Sequence, residues 1–181
     1  DKKIITFIGT FATQYDFDTL FAVADYFTRR DDLVFAFIGG GSQAEKVNTA
    51  HLPNVVNITW VNHDDMPSAW RISALTIWAM RPAPLYEGTI PAKFFEATAS
   101  GVPIVAAQTG IIAGIIHEHG LGIVLPVGDV DGMIGAIARL IDDESLLADC
   151  SMKARSYAET HFSPTRVLDG YEALFQSFEK P

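Results

Sequence analysis

Short, nearly continuous apolar runs alternate along this chain with stretches in which apolar residues recur every three or four positions. Ile4-Ile-Thr-Phe-Ile8 ends at Gly9, Leu33-Val-Phe-Ala-Phe-Ile38 enters Gly39-Gly-Gly-Ser42, and Leu75-Thr-Ile-Trp-Ala-Met80 precedes a Pro-rich loop. Runs of this length, closed by turn residues, read as strands buried on both faces of a parallel sheet. Val55 to Trp60, Pro103 to Ala107 and Gly122 to Leu125 extend the series. Between the first two strands, Phe17, Leu20, Phe21, Ala24 and Phe27 have helical spacing, with Asp16 or Asp18 as a cap. A polar helix is predicted over Gln43 to Ala50, and a short one near Ala69 to Ile72 after the turn chemistry of Asn62 to Ser68. Pro91 to Ser100 reads as a helix with proline in its first turn, stopped by Gly101 and Pro103. Another runs from Thr109-Gly110 to about His119. The C-terminal part carries three helical stripes, Met133-Ile134-Ile137-Leu140, Leu146-Leu147-Cys150 and Val167-Tyr171-Leu174-Phe178, the last helix starting at Ser163-Pro164. This rhythm predicts an α/β fold: a Rossmann-like parallel sheet of about six strands with helices on both faces, in a single domain over residues 1–181.

Composition narrows the function classes. The 181 residues are 49% hydrophobic and 11% aromatic, enough for one substantial core. With 22 acidic against 13 basic residues the net charge is −9, which argues against a nucleic-acid partner held by counterion release. Cys150 is the lone cysteine, so no intrachain disulfide is predicted and a reducing compartment, the cytoplasm, is expected. The apolar runs are far shorter than the roughly 20 residues that span a bilayer. Asp1 enters the first strand almost at once, without initiator methionine or signal peptide, which predicts a piece of a longer chain.

In an open α/β sheet, ligands bind outside the carboxyl ends of the strands. Those ends gather small residues here: Gly9-Thr10, Gly39-Gly-Gly-Ser42 and Gln108-Thr-Gly110. Glycine lets backbone N–H groups approach a phosphate, and the helix N-termini near Ile90 and Thr109 add partial positive charge. Glu96 is a carboxylate able to accept two hydrogen bonds from vicinal ribose hydroxyls, and Lys93, three positions earlier on the same helical face, is a cation suited to phosphate. An exposed Lys-Glu helix pair is the alternative. Asp16-Phe-Asp18 and Asp129-Val-Asp131 stand at helix starts, where aspartate is a cap rather than a metal ligand. His117-Glu-His119 lacks a nearby third ligand, and Trp60, Trp70 and Trp78 are expected mostly in the core, with a residue around Trp60 to His63 as a candidate to flank a nucleotide base. There is no Gly-x-Ser-x-Gly elbow, so a hydrolase reading has no support.

The string Thr89-Ile-Pro-Ala-Lys-Phe-Phe-Glu-Ala-Thr-Ala-Ser-Gly-Val-Pro-Ile-Val105 resembles the nucleotide-sugar signature in the C-terminal, donor-binding domain of GT-B glycosyltransferases, family 4 in particular. Phe37-Ile-Gly-Gly-Gly41, Leu52-Pro-Asn-Val55 and Gly120-Leu-Gly-Ile-Val-Leu-Pro-Val-Gly-Asp129 stand in the order that family shows. The resemblance implies the C-terminal half of a GT-B architecture, whose N-terminal acceptor domain is absent from this sequence. It implies sugar transfer from a nucleoside diphosphate sugar with retention, in polysaccharide or glycolipid assembly, without a metal or other cofactor. The full-length protein is then expected at the inner face of the membrane, and this half is expected to be inactive alone. Glu96 matches the glutamate that holds the donor ribose and Lys93 the lysine of a Pro-x-Lys-x-x-Glu form; Gly110, Ile111 and Ile112 match a phosphate-side helix start, and Gly9 and Thr10 the first phosphate loop. Two departures stand out. The family's other glutamate falls eight residues before Glu96, where this chain has Gly88, with Glu87 one position off. The Gly9 to Phe17 loop has none of the family's basic residues, leaving Arg81 as a substitute. A non-catalytic nucleotide- or partner-binding module and a sugar-nucleotide epimerase are the alternative readings on the same scaffold.

Overall fold

The structure is a computed structural model that describes residues 2–178. Six parallel strands, β1 (Lys3–Ile8), β2 (Leu33–Ile38), β3 (Val55–Ile58), β4 (Ser73–Ala79), β5 (Ile104–Ala107) and β6 (Gly122–Leu125), form one sheet in the order β3-β2-β1-β4-β5-β6. The register sets Phe7 beside Phe37 and Thr6 between Ala36 and Thr76, so β1 is flanked on both sides. Every residue of β5 is buried, as a continuous apolar run in a central parallel strand requires.

Among the described residues, eight α-helices surround it: α1 (Phe17–Tyr26), α2 (Ala44–Asn48), α3 (Met66–Arg71), α4 (Ala92–Ala99), α5 (Ile111–His119), α6 (Val130–Asp142), α7 (Glu144–His161) and α8 (Pro164–Phe178). α1 packs on α6, while α4 and α5 pack on α7. With right-handed crossovers, these two groups fall on opposite faces of the sheet. Asp16 and Asp129 cap α1 and α6, accepting from the backbone N–H groups of Thr19 and Gly132, so both Asp-x-Asp strings are helix starts.

Several boundaries differ from the pattern. β3 ends at Ile58 rather than Trp60, because it is the edge strand and the chain beyond it leaves the sheet. α3 begins at Met66, earlier than expected, since Pro67 is accommodated in its first turn. Pro91 caps α4 in an extended conformation instead of lying inside it. The stripe on α8 faces outward: Val167, Leu168, Tyr171, Leu174, Phe175 and Phe178 are all exposed. No helix of the described residues is long and apolar enough to cross a membrane.

The core beneath the carboxyl edge is aromatic. Phe7 lies 5.0 Å from Phe17, 5.1 Å from Tyr15 and 5.8 Å from Phe11 between ring centroids. Just above, Gly39 has φ 150°, and a Cβ there would stand 2.0 Å from the Gly9 carbonyl oxygen. The ends of β1 and β2 approach this closely only because Gly39 has no side chain. Gly39→Ala should therefore destabilise the chain by about 2 kcal/mol or more in urea unfolding, through strain and backbone displacement. Gly135→Ala, on α6 where a Cβ meets open space, should be neutral or stabilising by about 0.5–1 kcal/mol.

Candidate functional site

Strand order reverses at β1 and β4, the point where an open α/β sheet leaves a crevice at its carboxyl edge. The floor is tied across this point by backbone. Tyr15 bridges Met80 in antiparallel fashion, Asp16 N–H donates to the Ala79 carbonyl at 2.8 Å, and Arg81 N–H donates to that of Gln14 at 2.8 Å. Gln43 holds the loop after β1 from the other side, its amide donating to the carbonyls of Ala12 at 2.7 Å and Tyr15 at 3.2 Å.

Above this floor lies a cleft of about 620 Å³. Gly9, Thr10, Lys93 and Glu96 line it together, with Trp60, Tyr15 and Tyr86 among the walls. The two charged residues of α4 have very different surroundings. Glu96 is exposed to the cleft, and its Oε2 accepts from the buried Trp70 indole N–H at 3.1 Å. Trp70, on α3, thus orients a carboxylate that keeps further acceptor capacity for a ligand. Lys93 is only 5% exposed. Its Nζ lies 3.2 Å from the Phe7 ring centroid and 4.1 Å from that of Tyr15, and it makes no hydrogen bond. Burial pushes the Lys93 ammonium well below the usual lysine range, with the Glu96 carboxylate pulling weakly the other way. Attraction to a desolvated ring supplies about 2 kcal/mol, less than the several kcal/mol that burial of an unpaired ion costs. Burial also raises the Tyr15 phenol, to about 12.

The remaining expected residues lie beside the cleft rather than in its lining. The Gly110 N-cap of α5 has φ 83°, and a Cβ there would stand 2.0 Å from the Glu87 carbonyl oxygen. That carbonyl accepts from Ile111 N–H at 2.8 Å, so the loop after β4 is fastened onto the start of α5. Ile112 is fully buried, whereas the side chains of Ile111, Glu87 and Arg81 are exposed. At Gly88 a Cβ would meet nothing within 4 Å, so a glutamate has room there and is simply not present. Trp70 and Trp78 are buried as expected, and the Trp78 indole donates to Gln108 at 2.7 Å. Trp60 is 56% exposed and lines the cleft, so of its two readings the core one does not hold. Its indole nitrogen would lie 2.6 Å from a Cβ at Gly40, so the absence of a side chain lets the ring lie over the end of β2. The contact of Trp70 with Glu96 escapes sequence reasoning, because it depends on how separate segments cross in space. Among the described residues, no three His, Cys, Asp or Glu side chains gather as a metal site.

The family model described as glycosyl transferases group 1 matches residues 2–143. The 2-deoxystreptamine N-acetyl-D-glucosaminyltransferase of Niallia circulans is 25% identical over 184 residues, covering 98% of this chain and 46% of that protein. The chain thus spans about half the length of that relative. Among solved structures, sucrose-phosphate synthase from Thermosynechococcus elongatus superposes with a TM-score of 0.82 at 17% identity, over 98% of this chain and 46% of that one. A TarM variant from S. aureus, solved with UDP, alpha-GlcNAc-glycerol and fondaparinux, gives 0.80 at 20% identity, over 96% and 35%. Both share the fold.

The buried lysine has a thermodynamic consequence. The folded chain binds fewer protons at Lys93 than the unfolded chain, so this site makes stability rise with pH up to the ordinary lysine value of 10.5. Lys93→Met should stabilise the ligand-free chain near neutrality by about 1–3 kcal/mol. In urea unfolding across a pH series, that advantage should shrink as the pH approaches 10.5.

Proposed function

The chain belongs to the group 1 glycosyl transferases, and on that footing we propose that it holds a nucleoside diphosphate sugar in the cleft between β1 and β4. It serves, in this reading, as the donor-binding half of an enzyme that moves the sugar to an acceptor with retention at the anomeric carbon. The observation that carries the reading is the convergence of Gly9, Thr10, Lys93 and a Trp70-oriented Glu96 in one cleft at the switch point. Glu96 accepts from the ribose hydroxyls. Lys93 and the Gly9-Thr10 backbone face the diphosphate, with Gly110, Ile111 and Ile112 contributing the helix start from the flank. When the bond from the anomeric carbon to the diphosphate oxygen breaks, negative charge grows on the leaving group, and these groups stabilise it without a metal ion. The acceptor and the remaining catalytic groups belong to the other half of the full-length enzyme, so this half transfers no sugar alone. A cytoplasmic enzyme working at the inner face of the membrane fits this donor chemistry.

A second reading, a module that holds a nucleotide without transferring sugar, is favoured by one observation: among the described residues, Lys93 is the only basic one in the cleft lining. Arg81 has an exposed side chain and stands outside that lining. Slow hydrolysis of a labelled donor by the full-length protein separates the two, since a transferase activates the bond it breaks and a binding module does not.

Calorimetric titration of the chain with UDP, GDP and ADP should show binding of at least one. Glu96→Ala should weaken that binding about tenfold or more, the loss of hydrogen bonds to a charged group. Trp70→Phe, which keeps the ring and removes the N–H, should weaken it less, since Glu96 remains but is no longer oriented. Equal affinity in all three proteins, or no binding of any nucleotide, contradicts the assignment.

A further inference from the structure

Among the described residues, Lys93 is an amine without a hydrogen-bond partner, enclosed by two aromatic rings, and the one cation in the lining of its cleft. An ammonium ion there has lost its water and gained no anion in exchange, so the free cleft favours the uncharged form. Few groups act against this. β1 presents the Phe7 ring and Gly9, where a Cβ would lie 3.4 Å from the lysine Cε. The loop after β1 presents Tyr15, whose phenol is pushed up to about 12 by burial and therefore stays neutral. From α4 itself, Glu96 is the carboxylate that acts on Lys93, and its Oε2 is engaged by the Trp70 indole.

We propose that the cleft takes up a proton together with its anion: Lys93 rests as a neutral amine under the cleft wall and becomes an ammonium as a phosphate group arrives. This rests on the reading of the cleft as the nucleotide site. The step balances simply. The amine lone pair accepts one proton from solvent or buffer, and no other bond is made or broken. Rotation about the flexible lysine stem then carries Nζ past Gly9 toward the phosphate, which supplies the counter-charge missing from the free chain. The lysine thus distinguishes ligands by charge: a nucleotide draws the proton in, and a nucleoside with the same base and ribose does not. Affinity for the nucleotide is therefore linked to pH, falling up to tenfold per unit wherever the free amine is neutral and the bound one charged.

The test uses UDP-glucose, GDP-mannose and ADP-glucose, whose diphosphates carry no proton to exchange near neutrality, with uridine, guanosine and adenosine as uncharged controls. Calorimetry of the chain in buffers of different ionisation enthalpy, at about pH 7.5 and 8.5, should show uptake approaching one proton per nucleotide sugar bound. Affinity should fall up to about tenfold between the two pH values. The nucleosides should bind without uptake, and Lys93→Met should retain weakened nucleotide binding with no uptake. In parallel, NMR of the chain labelled with ¹³C-lysine should find Lys93 titrating well below the other lysines in the free state. Nucleotide-sugar binding without proton uptake, or a free Lys93 that titrates with the other lysines, overturns the proposal and leaves the nucleotide site standing. Failure of all three nucleotide sugars to bind overturns the nucleotide site and the proposal with it.

Discussion

β1 lies at the centre of the sheet, and the chain passes to its two neighbours by crossovers on opposite faces. That divergence opens a crevice at the carboxyl edge, and everything at the site depends on how its floor is closed. Here the floor is closed by backbone, with Tyr15 bridged to Met80 and Gly39 fitted against the Gly9 carbonyl. A floor tied in this way holds the aromatic cluster of Phe7, Phe11, Tyr15 and Phe17 directly below the cleft. It also fixes what any residue reaching in from α4 must touch.

The α4 helix reaches in with one lysine, and the fit is thermodynamically uneven. Phe94, Ala97 and Thr98 anchor the helix in the core, which is favourable, while Lys93 is buried with its amine unpaired, which is not. Destabilising groups retained at a functional site are expected where the missing partner is a ligand. Glu96 is arranged in the opposite sense. It stays wet, needs no compensation, and is held by an indole from a neighbouring helix. One helix thus carries a buried amine that lacks a partner and an exposed carboxylate already oriented by one hydrogen bond, three residues apart.

Much of this is legible in the residues themselves. Buried parallel strands are continuous apolar runs, which marks β1, β2, β4 and β5, while the half-exposed edge strands β3 and β6 are shorter apolar runs bounded by turn residues. The Pro-x-Lys-x-x-Glu string falls on α4, whose Lys93 and Glu96 line the cleft. The burial of Lys93 is not legible, because its surroundings are rings contributed by β1 and by a loop whose path is set through Met80, far away in sequence. Nor is the Trp70–Glu96 bond, which spans 26 residues and exists only once α3 and α4 pack. The core reading of Trp60 fails for the same reason: hydrophobic character does not say that an edge strand stops at Ile58 and turns the next aromatic outward over Gly40. The outward stripe of α8 looks in sequence like any core stripe, since periodicity reveals a face without revealing what covers it.

The central claim is that the cleft at the β1–β4 switch point is where a nucleotide binds. NMR of the ¹⁵N-labelled chain titrated with UDP tests it most directly, because the Trp60 indole N–H and the backbone N–H groups of Gly9 and Thr10 report from its walls. A nucleotide in this cleft should give shifts centred on Gly9, Thr10, Gly40 and the Trp60 indole. Shifts centred instead on Arg71, Ser151 and Arg155, which line a separate cavity of about 520 Å³ near the amino ends of β4 and β5, would contradict it.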